Sequence, residues 1–304
     1  MRRPVVAVVG PTASGKSDLG IAIARARHGE VVNLDASQVY RGMDIGTAKL
    51  SPAERSGVPH HLLDILDVRA TASVAEFQRL ALAAIDEIRA RGHLPVCVGG
   101  SGLYVRAVLE RLEFPGTDSA GRARLEAELA EIGAEAMHAR LASVDAAAAA
   151  AILPGNTRRV VRALEVIELT GRPFTATLPA HGQREPDVRI GLRVPKEVLD
   201  ARIRLRVERM WDAGLVDEVR RLEAQGLREG LTANKALGYQ QVLAFLAGDC
   251  SEAEALEATV LGTVRFARRQ LQWFRRDPAI TWLDFDDPRL VEQALALVDA
   301  TETV

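Results

Sequence analysis

Cysteine is nearly missing from this 304-residue chain: Cys97 and Cys250 are the only two, far apart and without any paired Cys or His spacing. That excludes a disulfide framework and a zinc site and points to the cytoplasm. Lysine is scarce as well. Only Lys16, Lys49, Lys196 and Lys235 among the 39 basic residues are lysine, the rest being arginine, a bias that genomic base composition explains as readily as RNA binding does. Charge of one sign is missing too: the formal net charge is −2. No overall field announces nucleic acid, so any RNA contact has to use a local basic face. No apolar run approaches the roughly 20 residues of a membrane span. The run Val5–Val9 is short and leads straight into Gly10-Pro11, which reads as a first buried strand rather than a signal sequence. What is left is a soluble globular protein long enough for one large core with an inserted or appended lobe.

Five short apolar stretches bounded by turn residues read as buried strands: Val5–Val9, 31–34, 94–98, 188–194 and 280–285. Helical patterns lie between them. This alternation predicts an α/β fold with a parallel sheet, whose ligands sit beyond the carboxyl ends of the strands. From Phe114 to Asp187 no strand pattern occurs, while 122–131, 134–141 and Thr157–Thr170 are rich in Ala, Leu, Glu and Arg. We read three segments: a core, first part, over 1–113; a helical insertion over 114–187, bracketed by Pro115-Gly116 and by the loop-like 179–186; and a second core part over 188–304. The alanine tract Ala146–Ala151 is compatible with helix. In the second core part helices are expected over 196–213, 215–225, 234–247 and 251–275.

The strongest local signal is Gly10-Pro11-Thr12-Ala13-Ser14-Gly15-Lys16-Ser17, which fits G-x-x-x-x-G-K-[ST] between a strand and a helix. Backbone N–H groups there point at an anion, Lys16 adds a point charge and Ser17 can coordinate Mg²⁺. The motif alone leaves open whether the phosphates belong to ATP, another nucleotide or a pyrophosphate ester. Asp35 follows the second strand and lies on the same edge. Beside phosphates a carboxylate reads as a Mg²⁺ ligand or a general base, with a helix N-cap as the plain alternative. Gly99-Gly100-Ser101-Gly102 ends the third strand and offers a further anion contact.

Arg202, Arg206 and Arg209 recur at helical spacing and can present one basic face to pyrophosphate, or simply a solvated stripe. Arg265, Arg268, Arg269, Arg275 and Arg276 interleave with Phe266, Trp273 and Phe274, a mix that suits phosphate contact plus stacking, or ordinary packing. His60 and His61 are adjacent and have no third ligand at zinc spacing, so a structural or supporting role is expected.

Taken in order, the motifs resemble a known family. The phosphate loop, Asp35-Ala36-Ser37-Gln38-Val39-Tyr40, Asp44-Ile45-Gly46-Thr47-Ala48-Lys49, Pro59-His60-His61-Leu62-Leu63-Asp64 and Gly99-Gly100-Ser101-Gly102-Leu103-Tyr104 resemble the bacterial tRNA dimethylallyltransferase family. So do Arg158-Arg159-Val160-Val161-Arg162-Ala163-Leu164-Glu165, Leu237-Gly238-Tyr239 and Arg268-Arg269-Gln270-Leu271-Gln272-Trp273-Phe274. The resemblance runs from about residue 5 to about residue 276 and is far more specific than a phosphate loop alone.

It implies a P-loop NTPase-like parallel sheet core with a helical insertion domain. It also implies a monomeric cytoplasmic enzyme that moves a dimethylallyl group from dimethylallyl diphosphate, with Mg²⁺, to N6 of the adenosine 3′ of the anticodon in tRNAs reading codons that begin with U. On this reading Gly10, Pro11, Thr12, Ala13, Ser14, Gly15, Lys16 and Ser17 bind the donor diphosphate, and Ser17 binds the metal. Asp35 is the base; Ser101 and Arg206 assist the leaving group. Asp35, Ala36, Ser37, Gln38, Arg158, Arg159, Val160, Val161, Arg162, Gly238 and Tyr239 match positions that meet tRNA, the insertion gripping the anticodon stem-loop. Departures from the family's commonest pattern are Ser17 and Ser101 where threonine is usual, Ala36 where serine is usual, and Lys235-Ala236 before Leu237-Gly238-Tyr239. An adenylate isopentenyltransferase, with free nucleotide as acceptor, and a small-molecule P-loop kinase are the alternative enzymes; a non-catalytic RNA-binding module leaves Lys16, Asp35 and Ser101 without a purpose.

Overall fold

The computed structural model of the protein describes residues 3–112, 114–174, 184 and 186–302; most of the expected 179–186 loop lies outside the described residues. Residues 110–182 form one compact unit and the flanking segments another. The larger unit begins with β1 (Val5–Val9), α1 (Lys16–Ala26), β2 (Gly29–Asn33), β3 (His60–His61), α2 (Val74–Ala90), β4 (Leu94–Gly99) and α3 (Gly102–Leu109). The smaller holds α4 (Ser119–Val144), α5 (Ala146–Ala151) and α6 (Thr157–Thr170). The larger then resumes with β5 (Asp187–Arg193), α7 (Lys196–Asp212), α8 (Leu215–Glu223), α9 (Tyr239–Ala247), α10 (Glu252–Phe274), β6 (Ile280–Asp284) and α11 (Leu290–Glu302).

Six parallel strands pair in the order β3-β2-β4-β1-β5-β6. Helices cover both faces, which is why the strands are continuously apolar rather than alternating. In β1, Val5, Ala7 and Val9 enter one core with Phe77 and Ile88 of α2. Val6 and Val8 enter the other with Ile23 of α1 and Val298 of α11. The register pairs Val9 with Gly99 and Asn33 with Val98, so the chain leaves β1, β2 and β4 side by side at one edge.

The strand β3 escapes the sequence pattern because it has two residues; His60 lies against Val58 O and borders the hollow beside the phosphate loop, while His61 braces β2. His61 Nε2 meets Glu30 Oε2 at 2.5 Å, His93 Nδ1 meets Glu30 Oε1 at 2.7 Å, and Arg91 donates to both oxygens at 2.7 and 3.0 Å. Arg91 above all, then the two imidazoles, hold the buried Glu30 carboxyl down at about 2 against the opposing effect of burial. A carboxyl depressed in the folded state contributes stability that is present above its unfolded value and is lost as pH falls towards about 2. Glu30→Gln is expected to cost about 1–3 kcal/mol at neutral pH, read as a fall in Cm in a urea titration, with the difference from wild type narrowing in acid.

The expected helix over 234–247 is shorter, because Gly238 has φ +89° and stops helical propagation; a single 3₁₀ turn, Ala233–Lys235, precedes it. In the smaller unit, α4 is broken at Gly133 (φ 82°, ψ 170°), which separates the two helical patterns visible in the sequence. Leu125, Met137, Leu141, Val160, Val161 and Leu164 form this unit's own core. Asp145 caps the alanine tract, its Oδ1 accepting the Ala148 N–H at 2.9 Å. Buried Glu165 accepts from Arg122 at 2.5 Å and Arg162 at 3.0 Å. Burial opposes its ionisation, yet the two guanidiniums hold the carboxyl below its ordinary value.

Candidate active site

The loop from Gly10 to Ser17 is shaped for an anion. Gly10 and Gly15 take φ +143° and +97°, conformations open to glycine, and Ala13 is held at φ +62°. The turn delivers the chain to the N-terminus of α1, whose unpaired N–H groups face the same space. Ser14 is buried and its hydroxyl finds no partner among the described residues. A buried polar atom left alone costs about 1–3 kcal/mol, and a phosphate oxygen seated in the loop would satisfy it. Lys16 lies across the turn with Nζ donating to Pro11 O at 3.2 Å. Burial brings its pKa down to about 8; Asp35 opposes that fall and Arg206 adds to it.

Asp35 stands just past β2. The Asn33 side chain fixes it, with Oδ1 accepting the Asp35 N–H at 2.9 Å and Nδ2 donating to Asp35 O and Leu62 O at 3.1 Å. Asp35 Oδ1 accepts the Ser37 N–H at 2.9 Å, and no helix follows, so the N-cap alternative reduces to a local turn. Oδ2 accepts from no described residue. Ser101 Oγ accepts the Ala36 N–H at 3.2 Å, which leaves its own proton free to donate. Arg206 reaches in from α7, Nη1 donating to Thr12 Oγ1 at 3.2 Å. Burial lowers its pKa while Asp35 raises it.

These groups line two hollows. One is bounded by Thr12, Lys16, Ser17, Asn33, Asp35, Gln38, Thr47 and Arg206 among others. The second is a cavity of about 460 Å³ with Ser101, Ile203, Val207, Met210, Phe266 and Arg269 in its walls. Thr12, Asp35, Thr47 and Arg206 line both. The carboxylate and the guanidinium therefore stand at a waist, with a phosphate-shaped loop on one side and a roomier, partly apolar chamber on the other.

The structure brings together the loop, Asp35, Ala36, Ser37, Gln38, Ser101 and Arg206, and disperses other candidates. Arg202 lies over the Phe285 ring at 4.4 Å, and Arg209 is exposed, so of that trio only Arg206 enters. In α10, Phe274 is core and Trp273 packs so closely on Gly102 that a Cβ there would sit 2.5 Å from the indole. Stacking surface in the chamber comes from Phe266 alone of the three. Of the positions matched to tRNA contacts, Val160 and Val161 have their side chains buried in the smaller unit's core, and Tyr239 is fully buried. Arg162 is tied to Pro115 O, Gly116 O and Glu165, whereas Arg158 and Arg159 are exposed.

Gln270 lies within the Arg268–Phe274 motif, which by itself assigns it no role. Its Oε1 accepts the Thr12 N–H at 2.9 Å and its Nε2 donates to Gly100 O at 2.8 Å, clamping the phosphate loop to the turn that carries Ser101. The signal was there: Thr259, Thr263, Phe266, Gln270 and Trp273 fall on one face of α10 at helical spacing, and counting that face instead of the arginines finds it.

The chain is similar to known proteins over nearly its whole length. The family model described as IPP transferase matches residues 38–277. The tRNA dimethylallyltransferase of Thermobifida fusca is 64% identical over 97% of this chain and 94% of its own. That of Streptomyces avermitilis is 63% identical over 98% and 97%. Among solved structures, the tRNA isopentenylpyrophosphate transferase of Bacillus halodurans superposes with a TM-score of 0.73 at 41% identity, covering 99% of this chain and 98% of that one. A eukaryotic dimethylallyltransferase acting on tRNA gives a TM-score of 0.87 at 24% identity, covering 99% and 80%, which speaks for the fold alone. With the phosphate loop, the carboxylate and the chamber already in one place, the match across more than two thirds of the sequence shows that the chain belongs to the IPP transferase family.

Proposed function

We propose that this chain is a tRNA dimethylallyltransferase, moving the dimethylallyl group of dimethylallyl diphosphate to N6 of the adenosine immediately 3′ of the anticodon. The observation that carries the mechanism is the waist: Asp35 and Arg206 border both the phosphate loop and the chamber. A flipped adenine enters the chamber, at a cost in unstacking that base-modifying enzymes recover inside the pocket. N6 attacks the allylic C1, the C1–O bond breaks with its electron pair leaving on the diphosphate, and the N6 proton passes to the free Oδ2 of Asp35. Lys16, the loop N–H groups, Arg206 and the Ser101 hydroxyl stabilise the charge that gathers on the leaving group.

The donor set suits Mg²⁺. Among the described residues no three His, Cys, Asp or Glu side chains could cage a metal, while the Ser17 hydroxyl opens on the phosphate-side hollow. Diphosphate oxygens and water complete such a shell, which is how Mg²⁺ is usually held. When bound, the ion supplies charge neutralisation to the diphosphate. The anticodon stem-loop is met in part by the exposed Arg158 and Arg159 of the smaller unit. No helix among the described residues is long and apolar enough to cross a membrane, and a tRNA acceptor fits a cytoplasmic enzyme working as a monomer.

The test is to incubate the protein with labelled dimethylallyl diphosphate, Mg²⁺ and either unmodified tRNA, AMP or no acceptor. Label is expected on tRNA alone; label on AMP and none on tRNA would replace this reading by an adenylate isopentenyltransferase. The clamp gives a second expectation. Gln270→Glu keeps an acceptor for the Thr12 N–H, loses the donor to Gly100 O and sets a negative charge behind the diphosphate. A drop of about 10- to 100-fold in kcat/KM for the donor should follow, read by steady-state kinetics at saturating tRNA.

A further inference from the structure

We propose that Glu218 and Tyr239 are positioning residues of the acceptor chamber, a buried carboxylate–phenol couple that holds the Asp44–Thr47 turn in place as the chamber's wall. The inference rests on the chamber being where the acceptor base sits. Glu218 comes from α8 and is buried. Its Oε2 accepts the N–H groups of Asp44 at 3.1 Å and Ile45 at 2.8 Å; its Oε1 accepts the Gly46 N–H at 3.2 Å and the Tyr239 hydroxyl at 2.6 Å. One carboxylate thus receives three consecutive amides of a turn that belongs to no helix or strand. Gly46 and Thr47 from that turn line the chamber. Behind them, the Tyr239 ring lies so close to Gly46 that a Cβ there would stand 2.5 Å from the ring.

The same tyrosine begins α9, with Gly238 between it and Lys235, Ala236 and Leu237, which also line the chamber. Two walls are thereby referenced to one buried point. Burial first, and Glu218 second, push the phenol well above its ordinary pKa, so at working pH it is always a hydrogen-bond donor. Neither side chain lines the chamber, so both act through the turn. The couple also accounts for why a fully buried tyrosine sits among positions that match tRNA contacts.

Unlocked, the turn would have to be ordered each time an acceptor binds, an entropic cost that falls on acceptor affinity. Tyr239→Phe keeps the ring against Gly46 and removes only the hydroxyl. It should raise KM for tRNA about 10-fold with kcat within roughly twofold of wild type and leave donor KM unchanged. Glu218→Gln puts an amide where an oxygen received backbone N–H groups and should raise tRNA KM further. Hydrogen exchange followed by mass spectrometry, which needs no activity, should show faster exchange in residues 44–47 of Glu218→Gln while the β1–α1 segment keeps its wild-type protection. A uniform rise in exchange, or none at 44–47, would overturn the positioning role, as would a Tyr239→Phe enzyme with wild-type tRNA KM. Failure of the wild type to modify tRNA at all would instead remove the functional reading, leaving the exchange result to judge the turn.

Discussion

Asp35→Asn should lower single-turnover transfer from a preformed ternary complex by about 10³-fold. The substitution is nearly isosteric. Its amide oxygen can still accept the Ser37 N–H that Asp35 Oδ1 takes at 2.9 Å, so the local turn survives and tRNA binding should stay within a few-fold of wild type. What disappears is the acceptor for the N6 proton. Donor affinity should hold or improve, because the lost charge is one that repels diphosphate. The charge also props up its neighbours, since Asp35 favours the protonated forms of Lys16 and Arg206. Asp35→Asn should therefore move the alkaline limb of donor binding to lower pH. Transfer retained at even a tenth of the wild-type rate would remove Asp35 as the base.

Lys16→Ala should cost about 10²–10³ in kcat/KM for the donor and little in tRNA affinity, because Lys16 serves the phosphate-side hollow and not the chamber. The ammonium is held in a buried place that brings its pKa in the free enzyme to about 8. A lysine depressed in this way loses its charge as pH rises through that value, so kcat/KM for dimethylallyl diphosphate should fall above about pH 8. Bound diphosphate restores the preference for the charged form, so the corresponding limb in kcat should lie at higher pH. Lys16→Arg keeps the charge and should flatten the alkaline limb, at reduced efficiency because a planar fork cannot take the place of a compact ammonium. A wild-type profile with no alkaline limb in kcat/KM would mean that Lys16 does not govern capture of the donor.

The sequence was informative where a residue type answers to a backbone requirement. A glycine-framed loop ahead of Lys16, apolar runs of strand length and a carboxylate just after the second run can be read without coordinates, because parallel strands must deliver such residues to one edge. Side-chain direction could not be read. Arg202, Arg206 and Arg209 are equivalent by period, yet Phe285 takes the first and solvent the last, since a long side chain follows whatever neighbour the tertiary fold provides. The buried carboxylates were invisible for the same reason. Glu218 answers to the amides of residues 44–46, more than 170 positions away, and Glu30 to His61, Arg91 and His93. A two-residue strand such as β3 has no period to detect. Matching by position cannot distinguish side chains either: of the residues matched to tRNA contacts, Arg158 and Arg159 are exposed, while the side chains of Val160, Val161 and Tyr239 are buried.

The central claim is that the phosphate loop holds an intact diphosphate leaving group for transfer to tRNA, rather than a nucleotide whose terminal phosphate is transferred. The direct measurement is stoichiometry: wild-type protein, Mg²⁺, dimethylallyl diphosphate and unmodified tRNA, with released diphosphate and dimethylallylated nucleoside quantified from the same reaction, beside a parallel reaction in which ATP replaces the prenyl donor. Diphosphate and N6-dimethylallyladenosine should appear in equal amounts, with ATP untouched in the parallel tube. ATP consumption with orthophosphate or a phosphorylated product, and tRNA left unmodified by dimethylallyl diphosphate, would contradict it.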